Sequence, residues 1–170
     1  MTDLAISYVG RFATSQQKLS RYLQRKITER GWDAPAPADV DAIVAAMVGY
    51  GYVNDAAYAE MQARSLSRRG YGRKRVDAAV RAAGIDEADS AAALGLSDAA
   101  RMASALRLAQ RRRWGPYAAQ QEDDRAKREK MIGAFLRAGH DVATARAILA
   151  MEPGADVSMM EATARSAADE

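Results

Sequence analysis

Basic residues crowd a short stretch in the middle of this 170-residue chain, around two glycines and a tyrosine. Arginine guanidinium groups bind carboxylates and phosphates through planar, paired hydrogen bonds. Glycines permit unusual turn conformations, and binding residues tend to gather at such turns. The pattern therefore predicts a docking surface for a polyanion or for an acidic protein face. Its candidate residues are Arg64, Arg68, Arg69, Tyr71, Gly72, Arg73, Lys74 and Arg75.

A purely structural interpretation also fits this stretch. In it, the basic side chains cover a solvated hinge, and Tyr71 packs across the turn. A second basic group, at residues 111–114, ends a predicted helix, where cations favourably oppose the helix dipole. Trp114 in that group can stack on a nucleobase, but we expect it to pack in the helix break before Pro116.

The residues needed for most enzyme chemistry are missing. The chain has no cysteine and one histidine, His140, whereas a zinc site needs several such ligands. Residues 70–75 lack the glycine spacing and the Lys-Ser/Thr pair of a phosphate-binding loop. The acidic run 122–124 lacks the alternation of a calcium loop and instead suits the start of a helix. We therefore expect no catalytic residue, no metal and no cofactor.

A glycine motif that recurs three times indicates how these residues are positioned. In each copy, apolar residues lie eight and four positions before a glycine, and a bulky residue and then an aspartate follow it. The glycines are Gly31, Gly84 and Gly139, at intervals of 53 and 55 residues. Such a period is typical of stacked units, each with a hydrophobic face that it cannot bury alone. His140 takes the bulky position in the third copy, so we predict that it packs.

Apolar residues spaced three and four apart predict helices along almost the whole chain, and no useful stretch alternates with period two. The predicted fold class is all-α: a tandem array of three three-helix repeats that forms an elongated, curved rod. We expect the repeats at residues 1–53, 54–96 and 97–152, followed by a mostly flexible C-terminal tail at 153–170.

Some helix ends and buried residues are predicted specifically. A first helix is expected over 4–12, a connection over 33–38, and a short helix over 86–94, with the next one starting at Ser97 or Asp98. Tyr52 and Tyr58 are expected in the core between helices. The helix after Asp39 is expected to bury Val40, Ile43, Val44, Met47 and Val48. The helix after Asp141 is expected to bury Val142, Ala145, Ile148 and Leu149.

The amino-acid composition indicates the cellular compartment of the protein and the kind of partner that it can bind. The net charge is +3, but residues 1–81 hold 13 Lys/Arg against 8 Asp/Glu, so the basic half can face nucleic acid or an acidic protein groove. No apolar run approaches the ~18 residues that span a bilayer, and the N-terminus lacks the pattern of a signal peptide. The absence of cysteine is compatible with a reducing compartment. We expect a cytoplasmic monomer with no membrane contact.

The stretch 51–85 is similar to the central signature of the RecX family of bacterial regulatory proteins, and a looser likeness covers residues 4–150. The chain departs from the family pattern in several places: Asn54 replaces a more usual acid, residues 80–83 replace a more charged stretch, and His140 replaces an aromatic residue. The segment 86–96 is also long and rich in alanine. The residues that carry the resemblance are Gly51, Tyr52, Val53, Asn54, Asp55, Tyr58, Ala59, Arg64, Ser65, Arg69, Gly70, Tyr71, Gly72, Arg75, Val76, Gly84 and Ile85.

The resemblance implies tandem three-helix repeats and a regulatory function. RecX proteins bind the RecA recombinase filament in its helical groove and inhibit its ATPase, strand-exchange and coprotease activities, and some also bind DNA. The expected partner is therefore the RecA nucleoprotein filament, with the DNA phosphate backbone as a further contact. By this likeness, the filament faces Arg64, Arg69, Tyr71, Gly72 and Arg75. The alternative is a helical DNA-binding module that acts independently of RecA, for which a net charge of +3 is low.

Overall fold

The computed structural model describes residues 1–32, 37–160 and 162, and its regular elements in that part of the chain are all helices. A short 3-10 turn, Gly115–Tyr117, follows the seventh helix. The α-helices are α1 (Thr2–Val9), α2 (Gln16–Arg30), α3 (Val40–Gly49), α4 (Asp55–Arg68), α5 (Arg73–Ala82), α6 (Glu87–Ala99), α7 (Arg101–Arg112), α8 (Arg125–Arg137) and α9 (Val142–Leu149).

Polar side chains and glycines fix the ends of these helices. Ser15, Asp39, Asn54, Asp86 and Asp141 each accept a hydrogen bond from the backbone N–H three residues later. Such caps stabilise a helix by about 1 kcal/mol. The repeated glycines follow α2, α5 and α8 and have positive φ, which glycine adopts without steric cost. Their φ values are 75° at Gly31, 76° at Gly84 and 94° at Gly139, and each glycine lies just beyond the end of its helix.

The core is divided into three hydrophobic clusters that follow one another along the chain. We call α1–α3, α4–α6 and α7–α9 the first, second and third unit, because each cluster is built mainly from one of these helix groups. The clusters are centred on Leu19, Leu23 and Met47, on Tyr58, Val76 and Val80, and on Leu106, Phe135 and Ile148, respectively. Division of the chain after residues 53, 96 and 152 stays a prediction.

The protein has a large solvent-accessible surface for its molecular mass. The accessible surface is 10300 Å² for a chain of 18.4 kDa, whereas a compact monomer of this mass exposes roughly 8,200 Å². Such an excess is characteristic of an elongated array. None of the helices among the described residues combines the length and the hydrophobicity of a membrane-spanning segment.

The predicted ends of the first and sixth helices and the predicted start of the seventh were wrong. The helix expected over 86–94 is α6, which continues to Ala99, so α7 starts at Arg101 instead of Ser97 or Asp98. Gly95 costs a helix only about 1 kcal/mol, and the part of α6 beyond it stays in contact with the protein, since Ser97 is buried and Asp98 pairs with Arg73. The first helix ends at Val9 because residues 10–12 form a turn beyond it.

Three predicted core residues are exposed. Tyr58 is buried as expected, at 6% exposure, but Tyr52 is 59% exposed because it lies in the turn beyond α3. Val48 and Val142 stand at the edges of their apolar faces and are also exposed. The predicted connection 33–38 and tail 153–170 lie partly outside the described residues. Within the described part of the tail, Val157 packs against the third cluster.

Candidate partner-binding surface

The basic stretch forms a fixed turn between α4 and α5. After α4 ends at Arg68, Gly70 adopts a φ of 78°. The N–H of Gly70 donates to the carbonyl of Ser67 at 2.9 Å, and the N–H of Tyr71 donates to the carbonyl of Leu66 at 3.0 Å. This pair of hydrogen bonds is the Schellman arrangement, which satisfies the last carbonyls of a helix. The turn therefore holds the basic residues on both sides of it in defined positions.

The glycines of this turn contact the third unit. A Cβ added at Gly72 would lie 2.6 Å from the carbonyl carbon of Gly139, and one at Gly70 would lie 3.1 Å from the backbone nitrogen of Leu108. The N–H of Gly72 donates to the carbonyl of Ala138 at 2.9 Å, and the N–H of Lys74 donates to that of Gly139 at 3.1 Å. Gly72 was predicted to face a partner, but the structure buries it in an internal joint.

His140 completes this joint, as its predicted packing role requires. It is 2% exposed, and its Nε2 lies 3.1 Å from the carbonyl oxygen of Gly70. Its ring meets that of Phe135 edge-on, with centroids 5.7 Å apart. Burial lowers the pKa of His140 below its ordinary value, against the hydrogen bond to Gly70. The side chain is therefore a neutral imidazole that donates its Nε2 proton to the carbonyl.

Some of the predicted cations already have acidic neighbours. Arg64 pairs with Glu60 at 3.4 Å, and Arg73 pairs with Asp98 near the end of α6. Both pairs are partly exposed, and such pairs contribute at most about 1 kcal/mol. The remaining predicted cations are exposed, and among the described residues no carboxylate lies within ion-pair distance of them. They are Arg68, Arg69, Lys74 and Arg75.

Tyr71 lies at the centre of the basic residues. The guanidinium carbons of Arg69 and Arg75 are 5.4 and 5.8 Å from the centroid of its ring. Each such cation–π contact contributes about 0.5–1 kcal/mol at an exposed site. The half-buried ring also packs against both the second and the third hydrophobic cluster. Tyr71 therefore joins the two units and orders two of the predicted arginines.

The joint also brings cations of the third unit to Tyr71. Between α7 and α8 lies a groove of about 470 Å³, which we call the junction groove. Its residues are Tyr71, Leu108, Arg111, Arg112, Ala134, Arg137 and Ala138. Sequence reasoning missed Arg137 and assigned Arg111 and Arg112 to the helix dipole. The run of basic residues at 111–113 was the available signal, but nothing local showed that it faces Tyr71.

The other motifs take structural positions. Trp114 packs in the helix break, as predicted, with its ring centroid 5.9 Å from that of Phe135. Asp124, in the acidic run, caps α8 through the backbone N–H groups of Ala126 and Lys127. Across the described residues, no group of histidine, aspartate and glutamate side chains could hold a metal ion. The arrangement supplies fixed positive charge and shape, which are suited to binding.

Comparison with known proteins identifies similar sequences and structures. Residues 54–94 match the family described as RecX, second three-helix domain. The chain is 28% identical over 165 residues to Regulatory protein RecX of Myxococcus xanthus (strain DK1622), covering 90% of this chain and 86% of that protein. The family match at residues 54–94 contains the whole basic turn, residues 64–75, that the sequence singled out.

Solved structures share the fold. The crystal structure of RecX from Lactobacillus salivarius superimposes with a TM-score of 0.64 at 19% identity, over 86% of this chain and 90% of that chain. A crystal structure of regulatory protein RecX gives a TM-score of 0.64 at 18% identity, over 86% of this chain and 68% of that chain. These likenesses confirm the predicted all-α class, and the rod of three repeats is consistent with them.

Proposed function

We propose that the chain, which is similar to RecX regulatory proteins over most of its length, is a non-enzymatic regulator that binds the RecA–DNA filament. In this role it inhibits the ATPase, recombination and coprotease activities of RecA. The proposal rests on a set of exposed cations beside the joint between the second and third units. Among the described residues, no carboxylate lies within ion-pair distance of them. They are Arg68, Arg69, Lys74 and Arg75.

The elongated array suits a polymeric partner. A chain whose units follow one another can contact neighbouring protomers of a filament, and a contact across protomers opposes the movements that ATP hydrolysis requires. The turn is held by backbone hydrogen bonds to the third unit, so little ordering of the main chain is needed on binding. Uncompensated surface cations speed association with an acidic surface or with DNA phosphate.

The proposed contact residues are those whose side chains reach the surface of the turn. Gly72 has a different task in this proposal, because it lies in the internal joint and positions its neighbours. We further propose that the protein acts as a cytoplasmic monomer, which light scattering of the purified protein tests. The contact residues are Arg64, Arg68, Arg69, Tyr71, Arg73, Lys74 and Arg75.

The direct test follows the ATPase activity of RecA on single-stranded DNA as this protein is added. We expect hydrolysis to fall with increasing protein. The double variant Lys74→Glu/Arg75→Glu should need at least about tenfold more protein, equivalent to 1.4 kcal/mol of binding. Arg11→Glu/Arg30→Glu, with the same charge change at exposed positions of the first unit, is the control. Hydrolysis that stays unchanged at saturating protein would overturn the proposal.

The DNA-binding alternative makes a different prediction. A module that acts on bare DNA would bind an oligonucleotide without RecA, with an affinity that falls steeply as salt is raised. A pull-down with RecA, in the presence and absence of ATP and DNA, separates the two functions. Retention of RecA only with ATP and DNA supports filament binding. Tight binding to DNA with no retention of RecA would favour the alternative.

A further inference from the structure

We propose that the junction groove binds an acidic peptide segment, which inserts an apolar side chain into the groove and presents carboxylates to its rim. This inference deepens the proposed function and rests on it for the class of partner, a protein. The groove lies between the second and third units, where Tyr71 meets α7 and α8. Four observations support a peptide as its occupant.

The floor of the groove is apolar. Leu108, Ala134 and Ala138 line it together with the ring of Tyr71, and the two alanines leave space that larger side chains would fill. The volume of about 470 Å³ is sufficient for one or two side chains of a peptide. Burying apolar surface there is favourable by about 25 cal/mol per Å². A sugar–phosphate chain has no comparable group to place on this floor.

The rim is basic and lacks a counter-charge. Arg111 and Arg112 come from the end of α7, and Arg137 comes from the end of α8. Among the described residues, no carboxylate lies within ion-pair distance of any of the three. Three guanidinium groups around an apolar floor favour carboxylates that flank an apolar side chain, since each can form a planar, paired contact.

The state of Tyr71 favours a peptide over single-stranded nucleic acid. Nucleic acid is commonly held by stacking bases on exposed aromatic rings. The ring of Tyr71 already contacts the guanidinium groups of Arg69 and Arg75, and the residue is partly buried. These arginines compete with a base for the ring. They also add positive charge beside the groove, where a carboxylate can pair with them.

The groove is formed by two units, so its occupant would hold them together. Tyr71 belongs to the second unit, whereas Leu108 and Arg137 belong to the third. A ligand that binds only when the units are joined stabilises the folded array by mass action. Binding should therefore raise the thermal unfolding temperature as well as retain the peptide.

The test uses a short fluorescein-labelled peptide of glutamates around a central leucine, without RecA, and measures anisotropy and thermal unfolding. We expect binding that weakens at least about tenfold in Arg111→Glu/Arg137→Glu, but not in the Arg11→Glu/Arg30→Glu control. Ala134→Leu fills the floor without changing charge and should also weaken binding. A peptide with serine in place of leucine should bind less tightly. Equal binding of both peptides, or by all variants, would overturn the inference.

Two further outcomes separate this inference from the proposed function. If an oligothymidylate binds the groove more tightly than the peptide and displaces it, the occupant is nucleic acid and the inference fails. If the protein inhibits RecA but does not bind the peptide, the inference also fails, while the proposed function stands. If the peptide binds as expected and RecA is unaffected, the groove is a peptide site and the proposed function fails.

Discussion

The two joints between units are made by corresponding helices, but different kinds of hydrogen bond hold them. In both, the start of the second helix of one unit meets the turn after the second helix of the next. In the first joint, the hydroxyl of Ser15 before α2 donates to the carbonyl of Ala83 at the end of α5, at 2.5 Å. In the second joint, the backbone N–H of Gly72 before α5 donates to the carbonyl of Ala138 at the end of α8.

Side chains hold the first joint. The carboxylate of Asp55 accepts from the N–H of Gln16 at 2.8 Å, and Nζ of Lys18 donates to the hydroxyl of Tyr58 at 2.7 Å. The second joint relies mainly on main-chain hydrogen bonds and on the facing glycines Gly72 and Gly139, with one side-chain hydrogen bond from His140. The comparison teaches that the basic surface lies beside the joint whose geometry the backbone fixes.

The largest effect is expected from alanine at the repeated glycines. In Gly139→Ala, positive φ combines with a Cβ only 2.5 Å from the backbone nitrogen of Arg75. Strain and overpacking together should lower the free energy of unfolding by about 3 kcal/mol or more. Gly84→Ala should cost about 2–3 kcal/mol, because the added Cβ would lie 2.5 Å from the Cβ of Gln17, which side-chain rotation cannot move.

Gly31→Ala is the matched control for this series. Its φ is also positive, but among the described residues no atom lies within 4 Å of the added Cβ. We expect only the backbone cost, about 1 kcal/mol. Urea unfolding followed by circular dichroism measures all three variants. Equal losses at the three glycines would contradict the assignment of a backbone contact to the second joint.

Loss of the Ser15 hydroxyl should have the next largest effect. Ser15 is fully buried, donates to Ala83 across the first joint and accepts from the N–H of Lys18 to cap α2. Ser15→Ala removes both interactions and leaves a buried carbonyl without this donor, so we expect a loss of about 2 kcal/mol. Ser15→Thr keeps the hydroxyl and is the control. If the two variants are equally stable, the hydroxyl does not hold the joint.

The stability of the two joints should change in opposite directions as the pH is lowered. Burial lowers the pKa of His140 below 6.5 and raises the pKa of the Asp55 carboxyl above 3.8. The contribution of neutral His140 is complete above pH 6.5 and is lost as the pH falls towards its folded pKa. The stabilising contribution of protonated Asp55 is complete below pH 3.8. It is lost as the pH rises through the pKa that this carboxyl has in the folded protein. Acid therefore weakens the second joint and favours the first.

Two variants separate these contributions. His140→Gln keeps a donor for the carbonyl of Gly70 but does not titrate, so its stability should fall less than that of the wild type between pH 7 and pH 5. Asp55→Asn removes the group that gains stability in acid, so its stability should fall more steeply than that of the wild type towards pH 4. Urea midpoints across this range provide the measurement. Parallel pH profiles for all three proteins would show that neither group is coupled to folding.

Much of the fold could be predicted because its signals are local. Apolar spacing and capping residues located the helices, and the glycines after α2, α5 and α8 marked their ends. The extension of α6 could not be predicted in this way. Gly95, Ser97 and Asp98 near its end are weak helix formers, and the contacts of this end, such as that of Asp98 with Arg73 of α5, join residues far apart in the sequence.

The candidate surface could be predicted only in part, for the same reason. The arginines around Tyr71 are close in sequence, so their cluster was visible. Periodicity shows which side of a helix is apolar, but it does not show which helix covers it. The contact of Gly72 with Gly139 joins residues far apart in the chain, and it is this contact that brings Arg111 and Arg137 to Tyr71.

The smallest effect should come from Tyr58→Phe in the first joint. The hydroxyl of Tyr58 accepts from Nζ of Lys18 at 2.7 Å and from Nε2 of Gln62 at 2.9 Å, while its ring is buried in the second cluster. Phenylalanine keeps the ring, and both donors are partly exposed and can bind water instead, so we expect a loss of about 0.5–1 kcal/mol. In the background of Lys18→Met the same change should cost less, because one hydrogen bond is already absent. A double-mutant cycle with no coupling between the two positions would mean that this pair lies across the joint without stabilising it.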